Sequence, residues 1–340
     1  MIAMRPMLST IRIVPAVILA LLLAACTTHL ASPGPSVQAP AMTDGFFTMA
    51  DGARLPYRRW MPPAGTPLRA VVLALHGMND SRDAWEYPAP DFAAAGIAVY
   101  APDQRGFGAA PGRGYWPGSQ ALVDDARQMA ALMAARYPHL PLILMGESMG
   151  GAVLMKLATE PDAPAHVRYV LVAPAVWGRQ DMNWAIRAAL WVTYRLLPGL
   201  RLSGAGAHRV ASDNREALIR LSEDPLTLLE TRVDAIHGLV DLMGSAQRAA
   251  AHFRAPALFL YGGHDELVPK RAMAATWRAL PAGARLAFYP HGYHLLLRDL
   301  DRKVPIDDII AWIEDPAAPL PSGAGETARE WLAERALIHR

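Results

Sequence analysis

The chain has 340 residues, of which 52% are hydrophobic, and its 33 basic residues nearly balance its 31 acidic ones. This length allows one domain with a large core, and the absence of a basic run interleaved with aromatic residues argues against a nucleic-acid partner. The single cysteine excludes an intramolecular disulfide. The sequence shows neither a metal-ligand cluster nor a phosphate-binding loop, so we expect no cofactor and no metal.

The N-terminal segment has the pattern of an export signal. Its first twelve residues carry two arginines and no acid, and residues 13–23 are almost continuously apolar. This apolar run is shorter than the about 20 residues that a membrane-spanning helix needs, which indicates a signal peptide over residues 1–25. The alternative is a simple secretory peptide followed by an incidental cysteine.

The end of this segment, Leu23-Ala-Ala-Cys26, resembles a bacterial lipobox. The resemblance implies that Cys26 is lipidated and becomes the new N-terminus, and Thr27 after it favours the outer membrane. Residues 26–43 are rich in Pro, Ser and Ala, which predicts a flexible tether of roughly 20–25 Å. We therefore expect an exported protein, lipid-anchored to the bacterial cell envelope.

Residues 44–314 alternate short apolar segments with helical patterns, which is typical of an α/β domain. Asp51-Gly52 between two strand-like segments predicts a hairpin. The apolar segments that predict further strands are residues 70–75, 96–101, 142–145, 169–173, 257–261 and 285–289. We expect a mostly parallel sheet of about eight strands with helices on both faces and function at the carboxyl ends of the strands.

Two regions depart from this alternation. The insert at about residues 175–250 predicts a helical cap, with one helix near 183–197 and a second containing Val233 and Val240. We expect the apolar residues of the cap mainly to pack it onto the core, with substrate contact as the alternative. Such an apolar cap favours an acyl-bearing substrate. A terminal extension, residues 315–340, contains one amphipathic helix that is expected to pack against the body.

The sequence Gly146-Glu-Ser-Met-Gly150 lies between a predicted strand and a predicted helix. In that context G-x-S-x-G predicts a nucleophile elbow, a turn so sharp that side chains at the two glycines would collide with backbone. Ser148 is the candidate nucleophile. A purely structural turn is the alternative for the pattern alone.

A serine nucleophile needs a base, and the base needs an orienting acid, which in such sheets follow the nucleophile at the ends of later strands. Asp265 follows the strand ending at residue 261, and His294 follows the strand ending at residue 289. Glu266 is the alternative acid. The other nearby histidines, His264 and His291, are interpreted as loop or surface residues.

The tetrahedral intermediate of such a reaction needs two donors for its oxygen. We expect the backbone N–H of Met149, directly after the nucleophile, and the backbone N–H of Met78, in the loop after the strand at 70–75. His76 lies in the same loop but precedes the nucleophile, so we interpret it as a residue that holds its loop rather than as the base.

Five motifs occur together and in order: His76-Gly-Met78, Asp103-Gln-Arg-Gly-Phe-Gly108, Gly146-Glu-Ser-Met-Gly-Gly151, Gly263-His-Asp-Glu-Leu-Val-Pro269 and His291-Gly-Tyr-His294. Over residues 44–314 the chain resembles the α/β-hydrolase superfamily, in its branch of monoacylglycerol lipases, lysophospholipases and serine aminopeptidases. The resemblance implies a Ser148–His294–Asp265 triad, oxyanion donors at Met78 and Met149, and a cap over the site. Glu147 departs from the family, where histidine is more usual.

The leading hypothesis is therefore a serine hydrolase that cleaves monoacylglycerol, lysophospholipid or similar esters through an acyl-enzyme. The same machinery could cleave amides, as an aminopeptidase, or thioesters. A hypothesis of another class is a lipid-anchored binding protein without catalytic activity. The sequence leaves the oligomeric state and the physiological substrate open.

Overall fold

The computed structural model describes residues 30–204 and 209–337. The predicted signal peptide at 1–25 and the lipidation site at Cys26 lie outside these residues. None of the helices within the described ranges is both long enough and apolar enough to cross a membrane.

The strands form one large sheet and one small ribbon. They are β1 (Ala41–Thr43), β2 (Phe46–Thr48), β3 (Arg54–Trp60), β4 (Ala70–Leu75), β5 (Ile97–Pro102), β6 (Leu142–Glu147), β7 (Val167–Val172), β8 (Arg201–Ser203), β9 (Glu230–Arg232), β10 (Ala257–Gly262) and β11 (Arg285–Tyr289). In the large sheet the order is β1-β2-β3-β5-β4-β6-β7-β10-β11. From β5 to β11 all neighbours run parallel, whereas β1, β2 and β3 pair antiparallel. The predicted mostly parallel sheet is confirmed, with nine strands instead of about eight.

The helices lie between the strands and in the insert. They are α1 (Ala89–Ala94), α2 (Ser119–Arg136), α3 (Met149–Leu157), α4 (Trp184–Leu196), α5 (Arg215–Glu223), α6 (Val233–Ala249), α7 (Lys270–Ala279), α8 (Lys303–Glu314) and α9 (Ala324–Leu337). Three short 3₁₀ turns, at Arg82–Trp85, Arg179–Asp181 and Ala250–His252, complete the described elements.

The central strands are buried on both faces. Along β4, Val71, Leu73 and Leu75 face one core cluster, while Val72 and Ala74 face the other, and all five are fully buried. Burial of both faces explains why these strands are continuous apolar runs without polar alternation. The sheet is therefore rigid, and the residues that follow its strands are held in fixed positions.

The segment before the sheet differs from the predicted tether. The N–H of Ala31 donates to the carbonyl of Trp116, and the N–H of Gly34 donates to Asp51. Residues Ala41–Thr43 form the edge strand β1, which pairs with β2. Residues 31–43 therefore lie against the domain, because backbone hydrogen bonds, which composition does not reveal, fix them in place.

The insert between β7 and β10 contains α4, α5, α6 and the β8–β9 ribbon, in agreement with the predicted cap. Its second predicted helix, α6, does pack onto the core, with Val240 and Met243 buried. Helix α4 has no buried residue, and Trp184 is 80% exposed. The expectation that the apolar residues of the cap mainly pack inward is thus wrong for most of α4, where Leu190 packs partly against the core but Trp184 and Trp191 are exposed.

The terminal helix α9 packs against β11, as expected. Trp331 is buried and stacks on Phe288, with ring centroids 4.8 Å apart, and it meets the edge of Trp277 at 5.3 Å. The helix therefore completes one face of the core. It packs on β11, the edge strand, which lies three strands from β6 in the sheet.

Candidate active site

Ser148 lies at the turn between β6 and α3 in a strained conformation. Its backbone has φ 52° and ψ −112°, in a region that residues other than glycine rarely occupy. Hydrogen bonds hold this conformation: the N–H of Ser148 donates to Val172 at 2.9 Å, and its carbonyl accepts from Ala152 and Ala175. Ser148 is partly exposed, while Glu147 and Met149 on either side of it are buried.

The glycines of the elbow are required by crowding. A Cβ on Gly146 would lie 2.5 Å from the carbonyl carbon of Gly150, and one on Gly150 would lie 2.3 Å from the carbonyl oxygen of Leu75. Both obstacles are backbone atoms, which cannot move aside as a flexible side chain can. The turn therefore exists only with glycine at these positions, as the sequence predicts.

Asp265 and His294, which the sequence assigned to different strand ends, are in contact. The loop after β10 (residues 263–269) and the loop after β11 (residues 290–299) are joined by a 2.8 Å hydrogen bond from the N–H of His264 to the carbonyl of Gly292. His294 Nδ1 lies 2.8 Å from Asp265 Oδ2, and both residues are buried.

The second oxygen of the Asp265 carboxylate, Oδ1, is also engaged. It accepts hydrogen bonds from the N–H groups of Leu267 and Val268, at 2.8 and 2.9 Å. These bonds fix the plane of the carboxylate, which in turn fixes the orientation of the imidazole. The Nδ1–H is directed at Asp265, so Nε2 is the nitrogen left to exchange a proton with a substrate or a nucleophile.

The surrounding charges adjust the basicity of His294. Burial lowers its pKa, but the Asp265 carboxylate, through its charge and its hydrogen bond, together with the charge of Glu147, outweighs this effect and leaves the pKa above its ordinary value. Arg298 acts in the opposite direction, to a smaller extent. A raised pKa makes the imidazole a stronger base and stabilises the imidazolium that forms when it takes a proton.

The loop after β4 (residues 76–80) passes beside the nucleophile. A Cβ on Gly77 would lie 3.4 Å from the Cβ of Ser148, so the backbone at 77–78 borders the serine directly. Met149 begins α3, where free backbone N–H groups and the helix dipole both favour negative charge. Met149 thus follows Ser148 directly, and the loop that carries Met78 passes the serine at Gly77.

The structure also places the alternative candidates. His76 is fully buried, with Nδ1 2.7 Å from the carbonyl of Gly77 and Nε2 accepting from the N–H of Gln104 at 3.0 Å. Burial lowers its pKa, so the ring is neutral and holds two loops together. His291 and His264 are exposed, and Glu266 is exposed and accepts the N–H of Val210.

The insert closes over these loops. The N–H of Leu228 donates to the carbonyl of Asn79, and the N–H of Leu295 donates to the carbonyl of Ala211, each at 2.8 Å. Both bonds join the insert to a loop that borders the candidate site. The cap is thus attached at the carboxyl edge of the sheet, where the elbow lies.

Sequence reasoning missed a buried ionic group in the same place. The guanidinium of Arg298 contacts the carboxylates of Asp80 and Glu147, and all three side chains are buried. Burial raises the pKa of Glu147, and the positive charge of Arg298 opposes that rise. The only signal in the sequence was Glu147 itself, an acid next to the nucleophile where the family more often has histidine.

Within the described residues, no group of three or more His, Cys, Asp or Glu side chains has the arrangement of a metal site. The chemistry that this arrangement supports uses a serine hydroxyl, an imidazole and a carboxylate. A serine at a strand–turn–helix elbow and a histidine–aspartate pair on later strands of a mostly parallel sheet define an α/β-hydrolase.

Comparison with known proteins gives the family. The profile of the family described as serine aminopeptidase, S33, matches residues 66–301, and the chain belongs to this family. It is 29% identical to the monoacylglycerol lipase of Mycolicibacterium smegmatis, over 78% of this chain and 95% of that protein. It is 30% identical to the monoglyceride lipase of Homo sapiens, over 74% and 83% of the two chains.

Among solved structures, the monoacylglycerol lipase of Paleococcus ferrophilus matches with a TM-score of 0.62 and 24% identity, over 76% of this chain and 98% of that one. This likeness shows the fold. With the sequence relatives, it identifies the chain as a hydrolase of the carboxylesterase and lipase type.

Proposed function

We propose that this protein cleaves carboxylic esters of the monoacylglycerol or lysophospholipid kind through an acyl-enzyme. The observation that carries the proposal is the buried pair of Asp265 and His294 at the same sheet edge as the Ser148 elbow. The relatives named as monoacylglycerol or monoglyceride lipases support a lipid ester as the substrate.

In the proposed reaction the Ser148 hydroxyl oxygen attacks the ester carbonyl carbon while Nε2 of His294 takes the hydroxyl proton. The negative oxygen of the tetrahedral intermediate accepts hydrogen bonds from the N–H groups of Met78 and Met149. When the intermediate collapses, His294 returns the proton to the departing alcohol, and an ester to Ser148 remains. Water, deprotonated by His294, then attacks the carbonyl carbon of this ester. As the bond from the acyl carbon to Ser148 breaks, His294 returns the proton to the serine oxygen, and the fatty acid and free Ser148 are released. Asp265 holds the imidazole throughout.

The cap supports a lipid-like substrate. Helix α4 presents exposed apolar side chains to solvent, with Trp184 80%, Trp191 54% and Leu196 63% exposed. A cluster of exposed apolar side chains on one helix of the cap is typical of a surface that meets an apolar partner. A substrate delivered from a lipid phase would cover this surface, whereas a small soluble ester would leave it exposed.

For location, we propose export and lipidation at Cys26, with residues 1–25 removed. Ala31 is hydrogen-bonded to Trp116, and the ring of Trp116 packs against Gly238 of cap helix α6. Because the chain from Cys26 to Ala31 spans at most about 18 Å, the lipid would lie near the side of the body that carries the cap. The anchor and the apolar face of α4 would then contact the same membrane.

The site is tested by fluorophosphonate labelling of the mature protein with peptide mapping, and by hydrolysis of p-nitrophenyl esters of increasing acyl length. We expect label on Ser148, an optimum at medium or long chains, and loss of both label and turnover in Ser148→Ala. Ser222→Ala, an exposed serine in α5, should behave as wild type. Folded protein without label or turnover would support a binding role instead.

Matched anilide and thioester substrates separate the two alternative chemistries, since a higher kcat/KM for either would replace the ester proposal. Localisation is tested by fractionating cells that express the full chain and the Cys26→Ser variant. The wild type should partition with membranes, and the variant should be released. Equal partitioning of both would reject the lipid anchor.

A further inference from the structure

The buried ionic group at the carboxyl edge of the sheet joins three parts of the candidate site. Asp80 belongs to the loop after β4 that also carries Met78, Glu147 directly precedes the nucleophile, and Arg298 follows His294 by four residues. The Arg298 guanidinium contacts both carboxylates, at 3.0 Å in the case of Glu147. One side chain therefore connects the predicted donor loop, the elbow and the histidine loop.

This group is costly to bury. The side chains of Arg298, Asp80 and Glu147 are only 4%, 8% and 3% exposed, and one positive charge faces two negative ones. Replacing a buried ion pair by apolar side chains of similar size is often neutral or even stabilising, so stability alone does not account for such a group. A requirement for fixed geometry between the three loops does account for it.

The Arg298 backbone is itself held. Its carbonyl accepts a hydrogen bond from the Asn214 side chain at 2.9 Å, and the next residue, Asp299, accepts the N–H of Tyr293 at 2.7 Å. The ends of the loop around His294 are thus fixed, and the Arg298 side chain is aimed toward the elbow. The contact between His294 and Asp265 ties the imidazole to the loop after β10, whereas Ser148 follows β6, two strands away in the sheet. Arg298 adds a direct contact to Glu147, the neighbour of Ser148.

We propose that Arg298 is a positioning residue, which holds the His294 loop, the Ser148 elbow and the Met78 loop in register through Glu147 and Asp80. The inference rests on the proposed function, because it assigns the register of the proposed triad and its oxyanion donors. Arg298 touches no reacting atom in this account. Its effect is exerted through the positions of His294 and Met78.

Arg105 provides a matched control. It too is a buried arginine between two carboxylates, Asp51 and Asp125, with its side chain 5% exposed. Neither of these aspartates lies in a loop of the candidate site. A loss of kcat that arises only from disturbing a buried ionic group should therefore appear equally in the two arginine-to-lysine variants.

The experiment compares Arg298→Lys with Arg105→Lys by kcat and KM on a p-nitrophenyl ester, by the rate of fluorophosphonate labelling, and by Tm. Both carboxylates are contacted by the same guanidinium nitrogen of Arg298, Nη2. Lysine keeps the charge, but its side chain is shorter and its ammonium ends short of the position of Nη2, so it contacts both carboxylates only if the loops move. We expect Tm to fall in both variants, and more in Arg105→Lys, because Arg105 makes four hydrogen bonds to its two carboxylates. We expect kcat to fall by about 100-fold only for Arg298→Lys, because misplacement of the reacting groups by about 1 Å has that effect. KM should change little.

A second readout uses the isosteric Glu147→Gln, which also serves if Arg298→Lys does not fold. The charged groups facing His294 are Asp265, Glu147 and Arg298, and the Glu147 carboxylate raises the pKa of His294. Removing the Glu147 carboxylate should move the acid limb of the kcat/KM profile to lower pH. It should also reduce kcat.

Wild-type kcat in both Arg298→Lys and Glu147→Gln, or an equal loss in Arg105→Lys, would overturn the inference while leaving the function intact. No Ser148-dependent turnover in the wild type would reject the function and the inference together.

Discussion

The carboxyl edge of the sheet and cap helix α4 are built on opposite principles. At the sheet edge, polar side chains are buried and held: His294 is 2% exposed and Asp265 accepts three hydrogen bonds. On α4, Leu190 packs partly against the core, but Trp184 and Trp191 are exposed. One region places hydrogen-bonding groups where water is excluded, and the other places apolar groups where water is present.

The difference reflects what each region must do. Acyl transfer needs groups held within a fraction of an ångström, which requires burial and satisfied hydrogen bonds. Contact with a lipid phase needs apolar area but no fixed geometry. We therefore expect substitutions at the sheet edge to affect turnover on every substrate, and substitutions on α4 to affect only substrates presented in a lipid phase.

The largest expected effect is that of Asp265→Asn. The amide no longer holds the imidazole with Nδ1–H toward it, so kcat should fall by about 10⁴-fold while the fold remains. The measurement is kcat on a short soluble ester, with circular dichroism to check folding. Glu266→Gln, the exposed neighbour, should retain wild-type kcat, and a large loss there would assign the acid to Glu266.

A residue larger than glycine at the elbow should destabilise the fold. In Gly150→Ala the new methyl would lie 2.3 Å from the Leu75 carbonyl oxygen, so the backbone must shift, and the free energy of unfolding should fall by about 3 kcal/mol or more. Gly325→Ala is the control, since its nearest atom would be 3.7 Å away within α9. There alanine fits without strain and should stabilise by about 0.4–1 kcal/mol, because it reduces the freedom of the unfolded chain. Urea denaturation measures both, and a stable Gly150→Ala would show that the elbow can relax.

On the cap, Trp184→Ser with Trp191→Ser should lower turnover of a long-chain monoacylglycerol in vesicles by about tenfold, a loss of about 1.4 kcal/mol of apolar contact. Turnover of p-nitrophenyl acetate and Tm should stay unchanged, because neither side chain supports the core. Val304→Ser, an exposed apolar residue outside the cap, should change neither activity. Loss on both substrates would show that α4 shapes the site itself.

The smallest expected effect is in the pH profile. His294 must be neutral to accept a proton, and its pKa is raised above the ordinary value of 6.5, so activity should fall as pH decreases through a value above 6.5. The kcat/KM of the wild type on a short ester from pH 5 to 9 gives this midpoint. The double cap variant should share it, and a midpoint below 6.5 would contradict the charge arrangement at the sheet edge.

The sequence predicted the sheet and the elbow well. The strand predicted at 70–75 is β4 without change, and the one at 285–289 is β11. Asp265 and His294 were chosen as residues that follow late strands, and the structure brings them together. The strand predictions succeed because apolar runs are local features of the sequence. The prediction of Asp265 and His294 used chain order, since a parallel sheet places successive strand ends at one edge.

Other features depended on the tertiary structure. The sequence did not pair Arg298 with Glu147, which lies 151 residues earlier, because such a contact follows from loop paths and not from local pattern. It assigned residues 26–43 to a tether, whereas residues 31–43 lie against the domain, because composition carries no record of the bonds to Trp116 and Asp51. It also led to the prediction that the apolar residues of α4 pack inward. Periodicity identifies an apolar face of a helix but not whether another element covers that face. Local sequence determines which elements form, whereas the space left between packed elements determines which of their faces are buried.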